Sequence, residues 1–345
     1  MTALETFCKQ LKQGYTPKKY SYSKPVSAWS EPDRFNDAII KAFVIILRTK
    51  GCSWSAESGC TMCGYFNDSA LSMVSDKELI DQYQHAMKNY NQEPVVKIFT
   101  SGSFFDVDEI SKQVRAHIFQ DLSNKVEKIA VESRPEYVTP QVLDDTKELL
   151  HDALLEVGIG LETADDEIRK ESVNKGFLFE DYKKASMHLK TYNHLIKTYV
   201  LVKPPFLTEP EAIDDAVNTI DAIKDITDTV SINPTNIQKN TLVEYLWRRK
   251  QYRPPWLWSV IDIIQKASAL SSKRLQCDIS GGGKFRGPHN CFKCDTSVLK
   301  AINAFSLHQD PLIFNKITCD CKKNWQDQLD LEPLSFGSLI DMPTG

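Results

Sequence analysis

No stretch of the 345-residue chain has the long uncharged apolar run that a membrane span needs. The opening residues, MTALETFCKQLKQGYTPKKY, hold no apolar signal core. Neither export nor membrane attachment is therefore expected, and the chain reads as cytoplasmic. A large excess of charge is missing as well. The formal net charge is −4, so no global field draws nucleic acid, and any such contact must use local basic patches. No Ser-His-Asp arrangement stands out: His85, His117, His151, His188 and His194 fall in predicted helices or at their edges. There is no low-complexity tract, and the composition is that of an ordinary globular protein, 41% hydrophobic and 26% charged. Cysteine is the exception. In a reducing compartment the nine thiols read first as metal ligands or free thiols, and only second as disulfides.

β-branched apolar runs recur at 41–49, 95–101, 128–133, 155–162, 196–204 and 229–237. Helix-period stretches lie between them, among them 75–90, 139–155 and 209–226. Ser75 and Thr139 are the expected N-caps, with Pro140 at the first helical position of the second helix. Strands alternating with helices imply parallel pairing. The strands read as too apolar for one wet face, as in a sheet covered by helices. The expected fold is α/β, a partial (βα)6 TIM-type barrel with its chemistry at the carboxyl ends of the strands. The expected divisions are an N-terminal arm at 1–40, in which TPKKYSYSKP (16–25) reads as irregular, the barrel at 41–240, connecting helices at 241–270, and a small C-terminal cysteine-rich metal-binding domain at 271–345.

Directly after the first strand comes RTKGCSWSAESGCTMCGYFND (48–68), with Cys52, Cys60 and Cys63 spaced by seven residues and then two. A Cys-x-x-Cys pair presents both thiolates to one metal centre, but a closed structural zinc needs a fourth ligand and none lies nearby. Three thiolates suit a [4Fe–4S] cluster with one iron left open for a ligand. Structural zinc completed by distant residues is the competing reading of the spacing.

The loop resembles that of the radical S-adenosylmethionine (SAM) enzymes, with a longer first spacing and with Met62 where an aromatic is usual. TSGSF (100–104), VESRPEY (131–137) and VGIGLETADDEIRKESVNKG (157–176) resemble motifs of the tRNA-modifying subgroup related to the elongator catalytic subunit. The resemblance implies a [4Fe–4S] cluster on Cys52, Cys60 and Cys63, with SAM chelating the open iron. It also implies SAM contacts from Gly102 and Ser103 to the ammonium, and from Glu132 and Glu162 to the ribose hydroxyls or the ammonium. Lys175 stands where the related enzymes place an arginine for the SAM carboxylate; it keeps the charge without the bidentate fork.

A second group lies in the tail. CDISGGGKFRGPHNCFKCD supplies Cys277, Cys291 and Cys294, and CDC supplies Cys319 and Cys321. Four of the five close a tetrahedral site, expected on Cys277, Cys291, Cys294 and Cys319, with His289 as a substitute ligand. Spacing leaves zinc and an auxiliary Fe–S cluster both open. Basic residues interleaved with aromatics in WRRKQYRPPWLW (247–258), and Lys273, Arg274, Lys284, Phe285 and Arg286, suit phosphate contacts and base stacking.

Together with LVKPPFLTE and GGGKFRGPHNCFKCD, these motifs resemble the archaeal radical SAM subunit of archaeosine synthase. That resemblance implies a tRNA substrate and a partner, the lysine-transferring subunit, which attaches lysine to 7-cyano-7-deazaguanine. The radical subunit then cleaves the lysine carbon–nitrogen bond to leave archaeosine. Two alternatives remain open: another radical SAM tRNA modification such as methylthiolation, and a non-catalytic zinc-held RNA-binding module.

Overall fold

Charged or small residues alternate with apolar ones along the strands, as in KIAVE (128–132) and EVGIGLE (156–162). A strand sends successive side chains to opposite faces, so this alternation gives the sheet one polar face and one apolar face. The computed structural model describes residues 2–13, 15, 20–70 and 72–334. It contains one curled sheet whose strands follow chain order: β1 (Ser27–Phe35), β2 (Ala38–Ile46), β3 (Val95–Phe99), β4 (Lys128–Glu132), β5 (Leu154–Glu162), β6 (Leu195–Val202), β7 (Thr229–Pro234) and β8 (Arg274–Cys277). β1 runs antiparallel to β2, and every other neighbouring pair is parallel. The six expected strands correspond to β2–β7, and the half-barrel is extended at both edges.

The helices of ten residues or more are α1 (Ala3–Lys12), α2 (Asp76–Met87), α3 (Lys112–Leu122), α4 (Pro140–Leu150), α5 (Phe179–Thr191), α6 (Glu209–Ile223), α7 (Leu257–Leu270), α8 (Asp295–His308) and α9 (Cys321–Leu331). Ser75 caps α2 in a capping box with Glu78, and Thr139 caps α4 ahead of Pro140, both as expected. Ile129, Val131, Val157, Ile159 and Val200 are fully buried on the convex face, in the core shared with these helices. No helix among the described residues is long and apolar enough to cross a membrane.

The concave face corrects the expectation of a sheet too apolar for one polar side. Lys97, Lys128, Glu156 and Lys197 lie on it. Lys97 pairs with Glu31 at 2.8 Å and Asp33 at 3.0 Å, and Lys128 with Glu156 at 2.9 Å. Arg274 of β8 reaches Asp33 of β1 and links the two edge strands. Breaking such a buried pair from one side costs about 3–5 kcal/mol, because a lone charge is left behind.

Regular structure lies on either side of 16–25 in the expected arm: α1 precedes it and β1 follows it. Thr2 caps α1 in a capping box with Glu5. β1 joins β2 through Asn36 and Asp37, both at positive φ, as a two-residue hairpin loop requires. Pro32 and the charged residues of SEPDRF disguised β1, yet an edge strand tolerates proline. Residues 16–19 of the expected arm, and 335–345 of the expected tail domain, lie outside the described residues. The tail shares the barrel's core: β8 belongs to the sheet, and Val298, Ile302, Phe305 and Trp325 pack in the same apolar cluster as β3 and β5.

Asp215 of α6 tests this packing. It accepts from Thr163 Oγ1 at 2.5 Å, while its Oδ2 is buried with no hydrogen-bond partner among the described residues. Burial pushes its carboxyl up to about 7, with Asp165 adding and the Thr163 bond and Arg169 opposing. A raised acid stabilises the fold in its protonated form. That stability is present below the ordinary value of 3.8 and is lost as pH climbs through about 7. Asp215→Asn should therefore match the wild type near pH 4 and exceed it by a few kcal/mol at pH 8 in urea unfolding. An equal difference at both pH values would contradict the assignment.

Candidate active site and second metal centre

The chain leaves β2 and turns over the carboxyl end of the sheet. Cys52 precedes a short helix, Ser53–Glu57, and the Cys63 N–H donates to Cys60 O at 3.3 Å in the turn that follows. All three cysteines line one cavity of about 460 Å³, together with the carboxyl ends of the strands. Hydrogen bonds from two sides hold the loop. Asn174 sits in a left-handed turn and donates from Nδ2 to Ser58 Oγ at 2.7 Å and Gly59 O at 2.8 Å. Trp54 Nε1 donates to Asn174 O at 2.8 Å, and Thr61 Oγ1 to Ser172 O at 2.7 Å. From the other side Lys12 of α1 donates to Ser55 O at 2.9 Å and Ser58 O at 2.8 Å.

The sulfur spacing separates two kinds of centre. Four thiolates around one ion at 2.3 Å stand about 3.8 Å apart at tetrahedral angles. The sulfurs of Cys52, Cys60 and Cys63 do not all fall within 4.8 Å of one another, although they share a cavity wall. Three thiolates without a fourth suit a cubane, whose irons take one thiolate each. Burial pushes Cys63 up to about 12, with Cys60 adding, and raises Cys52 against Arg134. Cys52 and Cys63 are therefore protonated at neutral pH as free thiols, and metal loading must expel those protons.

The cavity wall has been cleared of side chains. A Cβ on Gly102 would stand 2.7 Å from Cys52 Cα, and one on Gly160 would stand 2.7 Å from Lys175 Nζ. Glu162 closes β5 at φ 70°, where the register with β6 shifts, and a bulge of this kind re-aims a side chain. Its Oε1 lies 2.6 Å from Lys175 Nζ. Burial lowers Lys175, but Glu162 and Cys60 outweigh it and hold the ammonium above its ordinary range. Burial raises Glu132 against Tyr199 and the lysines Lys197 and Lys175. Gly102, Glu132, Glu162 and Lys175 thus share the cavity with the three thiols.

Ser103 does not line the cavity. It is buried, its N–H donates to Glu109 at 2.5 Å and its Oγ accepts from the Arg134 N–H at 3.0 Å, so its part is to brace the turn. Thr100 and Ser101 face the cavity in its place. Sequence reasoning also missed Tyr199, Asn233 and Gln238. The alternation of IKTYVLVKP held the signal for Tyr199, two residues beyond Lys197 on the same face.

The second cysteine group forms with one exchange. Cys291, Cys294, Cys319 and Cys321 lie within 4.8 Å of one another, with sulfur separations of 3.8, 3.7 and 3.7 Å for 291–294, 291–319 and 294–321. These are the edges of a tetrahedron around one ion at zinc–thiolate distance. Cys277 is excluded because it faces the convex core from β8, where burial raises its thiol well above the ordinary range. His289 Nδ1 donates to Gly287 O at 2.7 Å, and the ring stays outside the group. Trp258 Nε1 points to Cys321 Sγ at 3.3 Å and Asn290 Nδ2 to Cys294 Sγ at 3.4 Å, the outer contacts that orient metal-bound sulfur.

The site is thus a parallel α/β half-barrel with three cysteines looped over the carboxyl end of its first parallel strand, the arrangement that the resemblance to radical SAM enzymes implies. Archaeosine synthase subunit beta of Methanosarcina acetivorans is 39% identical over 336 residues, covering 96% of this chain and 97% of the relative. Archaeosine synthase subunit beta of Thermococcus kodakarensis is 37% identical over 306 residues, covering 86% and 94%. The chain belongs to the archaeosine synthase subunit beta family. No family model matches it. Among solved structures, the Elp3 of Methanocaldococcus infernus is similar at 17% identity and a TM-score of 0.47, over 70% of this chain and 64% of that one.

The exchange of ligands is open to test. Cys321→Ser should lower the zinc content of the purified protein from about one per chain to a small fraction, while Cys277→Ser should leave it unchanged in elemental analysis. Equal loss in both variants would contradict the four-sulfur site.

Proposed function

We propose that this chain is the radical subunit of an archaeosine synthase. It acts on tRNA whose 7-cyano-7-deazaguanine already carries lysine, and cleaves the lysine carbon–nitrogen bond to leave archaeosine. The observation that carries this reading is the three-thiol loop on a cavity cleared at Gly102 and Gly160, in a chain so similar to archaeosine synthase beta subunits. Cys52, Cys60 and Cys63 would hold a [4Fe–4S] cluster, and the wall bearing Gly102, Glu132, Glu162 and Lys175 would hold SAM. Bound together and given one electron, these groups supply a 5′-deoxyadenosyl radical. The chain's own residues bind, orient and exclude water. Glu162 keeps Lys175 charged for an anionic group, and the Asn174 and Lys12 contacts fix the thiols in place.

A ladder of rings favours RNA as the partner surface. Trp247 meets Phe285 at 5.5 Å, Phe285 meets His289 at 6.2 Å, and His289 meets Phe292 at 4.7 Å. Phe285 and Phe292 are exposed, and the Arg286 guanidinium lies 4.8 Å over Trp247. Such rings stack unpaired bases while the cations meet phosphates. The Ile237 N–H donates to Arg286 O at 2.7 Å, and Gln238 and Asn236 next to it line the cavity, so the ladder adjoins the mouth. Zinc on Cys291, Cys294, Cys319 and Cys321 would brace this surface, and the lysine-transferring subunit would supply the modified tRNA.

Nucleoside mass analysis tests the reading directly. Anaerobically loaded protein, SAM, a reductant and lysine-bearing tRNA should yield archaeosine with 5′-deoxyadenosine, and Cys60→Ala should yield neither. A methylthiolated nucleoside, or an unchanged lysine adduct despite 5′-deoxyadenosine formation, would refute it.

A further inference from the structure

The floor of the cavity holds a buried charge with no direct ion-pair partner among the described residues. Of the three lysines on the concave face named above, Lys97 and Lys128 have carboxylate partners. Lys197 has none. Only 7% exposed, it reaches the neutral amide oxygen of Gln276 at 3.1 Å and forms no ion pair with a described residue. Burial, with Lys97 adding, pulls its ammonium below the ordinary range, and the more distant Asp278, Glu156 and Asp33 only oppose this. An ammonium left in this state costs several kcal/mol, which an arriving anion offsets.

One amide away stands the complementary charge. Gln276 Nε2 donates to Asp278 Oδ2 at 2.6 Å, and Asp278 makes no ion pair with a described residue. Lys197, Gln276 and Asp278 all line the cavity that the three thiols line. A lone cation and a lone anion joined by one amide match a ligand group that carries both signs at short range.

We infer that Lys197 and Asp278 bind the free α-carboxylate and α-ammonium of an amino acid carried by the substrate. This rests on the function proposed above, taken with attachment of lysine through its side-chain nitrogen, which leaves the α-carbon end free. The amino-acid end of SAM is a rival occupant: Lys197 lies level with Glu132 of the wall proposed for SAM but below the Glu162–Lys175 pair, so a SAM titration decides between the two. Lys197 pairs in register with Gly158, whereas Glu162 pairs with Val200, three residues further along β6. At 3.3 Å per residue, Lys197 stands about 10 Å deeper than the Glu162–Lys175 pair. The substrate's side chain would then run from the cluster end of the cavity to its floor.

Calorimetry on the loaded full-length protein tests this without turnover. Nε-acetyl-L-lysine is the probe, compared with N-acetylcadaverine, which lacks the carboxylate, and 6-acetamidohexanoate, which lacks the α-amino group. Each truncated compound should bind at least about tenfold more weakly, the scale of one lost charge-assisted contact. Lys197→Met and Asp278→Asn should each weaken the probe to a similar degree, and SAM affinity is titrated in the same variants. Equal binding of all three compounds, no binding of the probe, or a matching fall in SAM affinity would overturn the assignment. The comparison among the three compounds on wild-type protein stands even if a variant misfolds. The intended pattern with no archaeosine formed would reject the proposed function and keep the pocket; archaeosine formation without the pattern would do the reverse.

Discussion

The structure depends on how a loop of small and polar residues is tied down beside the open end of a parallel sheet. A segment bearing three thiols gains little from its own packing, and backbone freedom costs about 1–2 kcal/mol per residue fixed. Asn174 supplies the order from one side. Its left-handed backbone lets one side chain donate to both Ser58 and Gly59 while its carbonyl receives Trp54. Lys12 supplies it from the other, donating to two carbonyls of the same loop. The positions of the three sulfurs follow from these contacts and not from any local regular structure.

The sheet beneath divides its chemistry by parity. Residues such as Ile129, Val157 and Val200 bind the helices, and residues such as Lys97, Glu132 and Lys197 form the cavity. A TIM barrel fills its interior with branched apolar side chains. This half-barrel fills its floor with ion pairs and its upper part with glycines. A charged floor suits a polar group that enters deeply, and the glycine-lined wall suits a bulky group that lies across the strand ends. The same parity carries Cys277 away from the metal-binding tail and into the core.

The βα rhythm, two of the helix caps and the three-thiol loop were legible because each is local: a period, a capping pair, a spacing. β1 and β8 were not. SEPDRF hides behind Pro32 and its charges, and RLQC is four residues long. Ser103 and Ser101 were indistinguishable without the turn that buries one and exposes the other. The exchange of Cys321 for Cys277 depends on strand parity, and Leu275 and Cys277 flanking Gln276 carried that signal. Gln276, Asp278 and Lys197 meet only when β6 and β8 curl around the same cavity, which no linear pattern encodes.

The central claim is that the three-sulfur centre keeps one iron free for the amino and carboxylate groups of SAM. Electron–nuclear double resonance on the reduced cluster measures this directly, with SAM labelled by ¹⁷O at the carboxylate and ¹⁵N at the amine. Couplings of both nuclei to the cluster spin are the predicted result. A cluster spectrum unchanged by SAM, with neither coupling, would contradict the account.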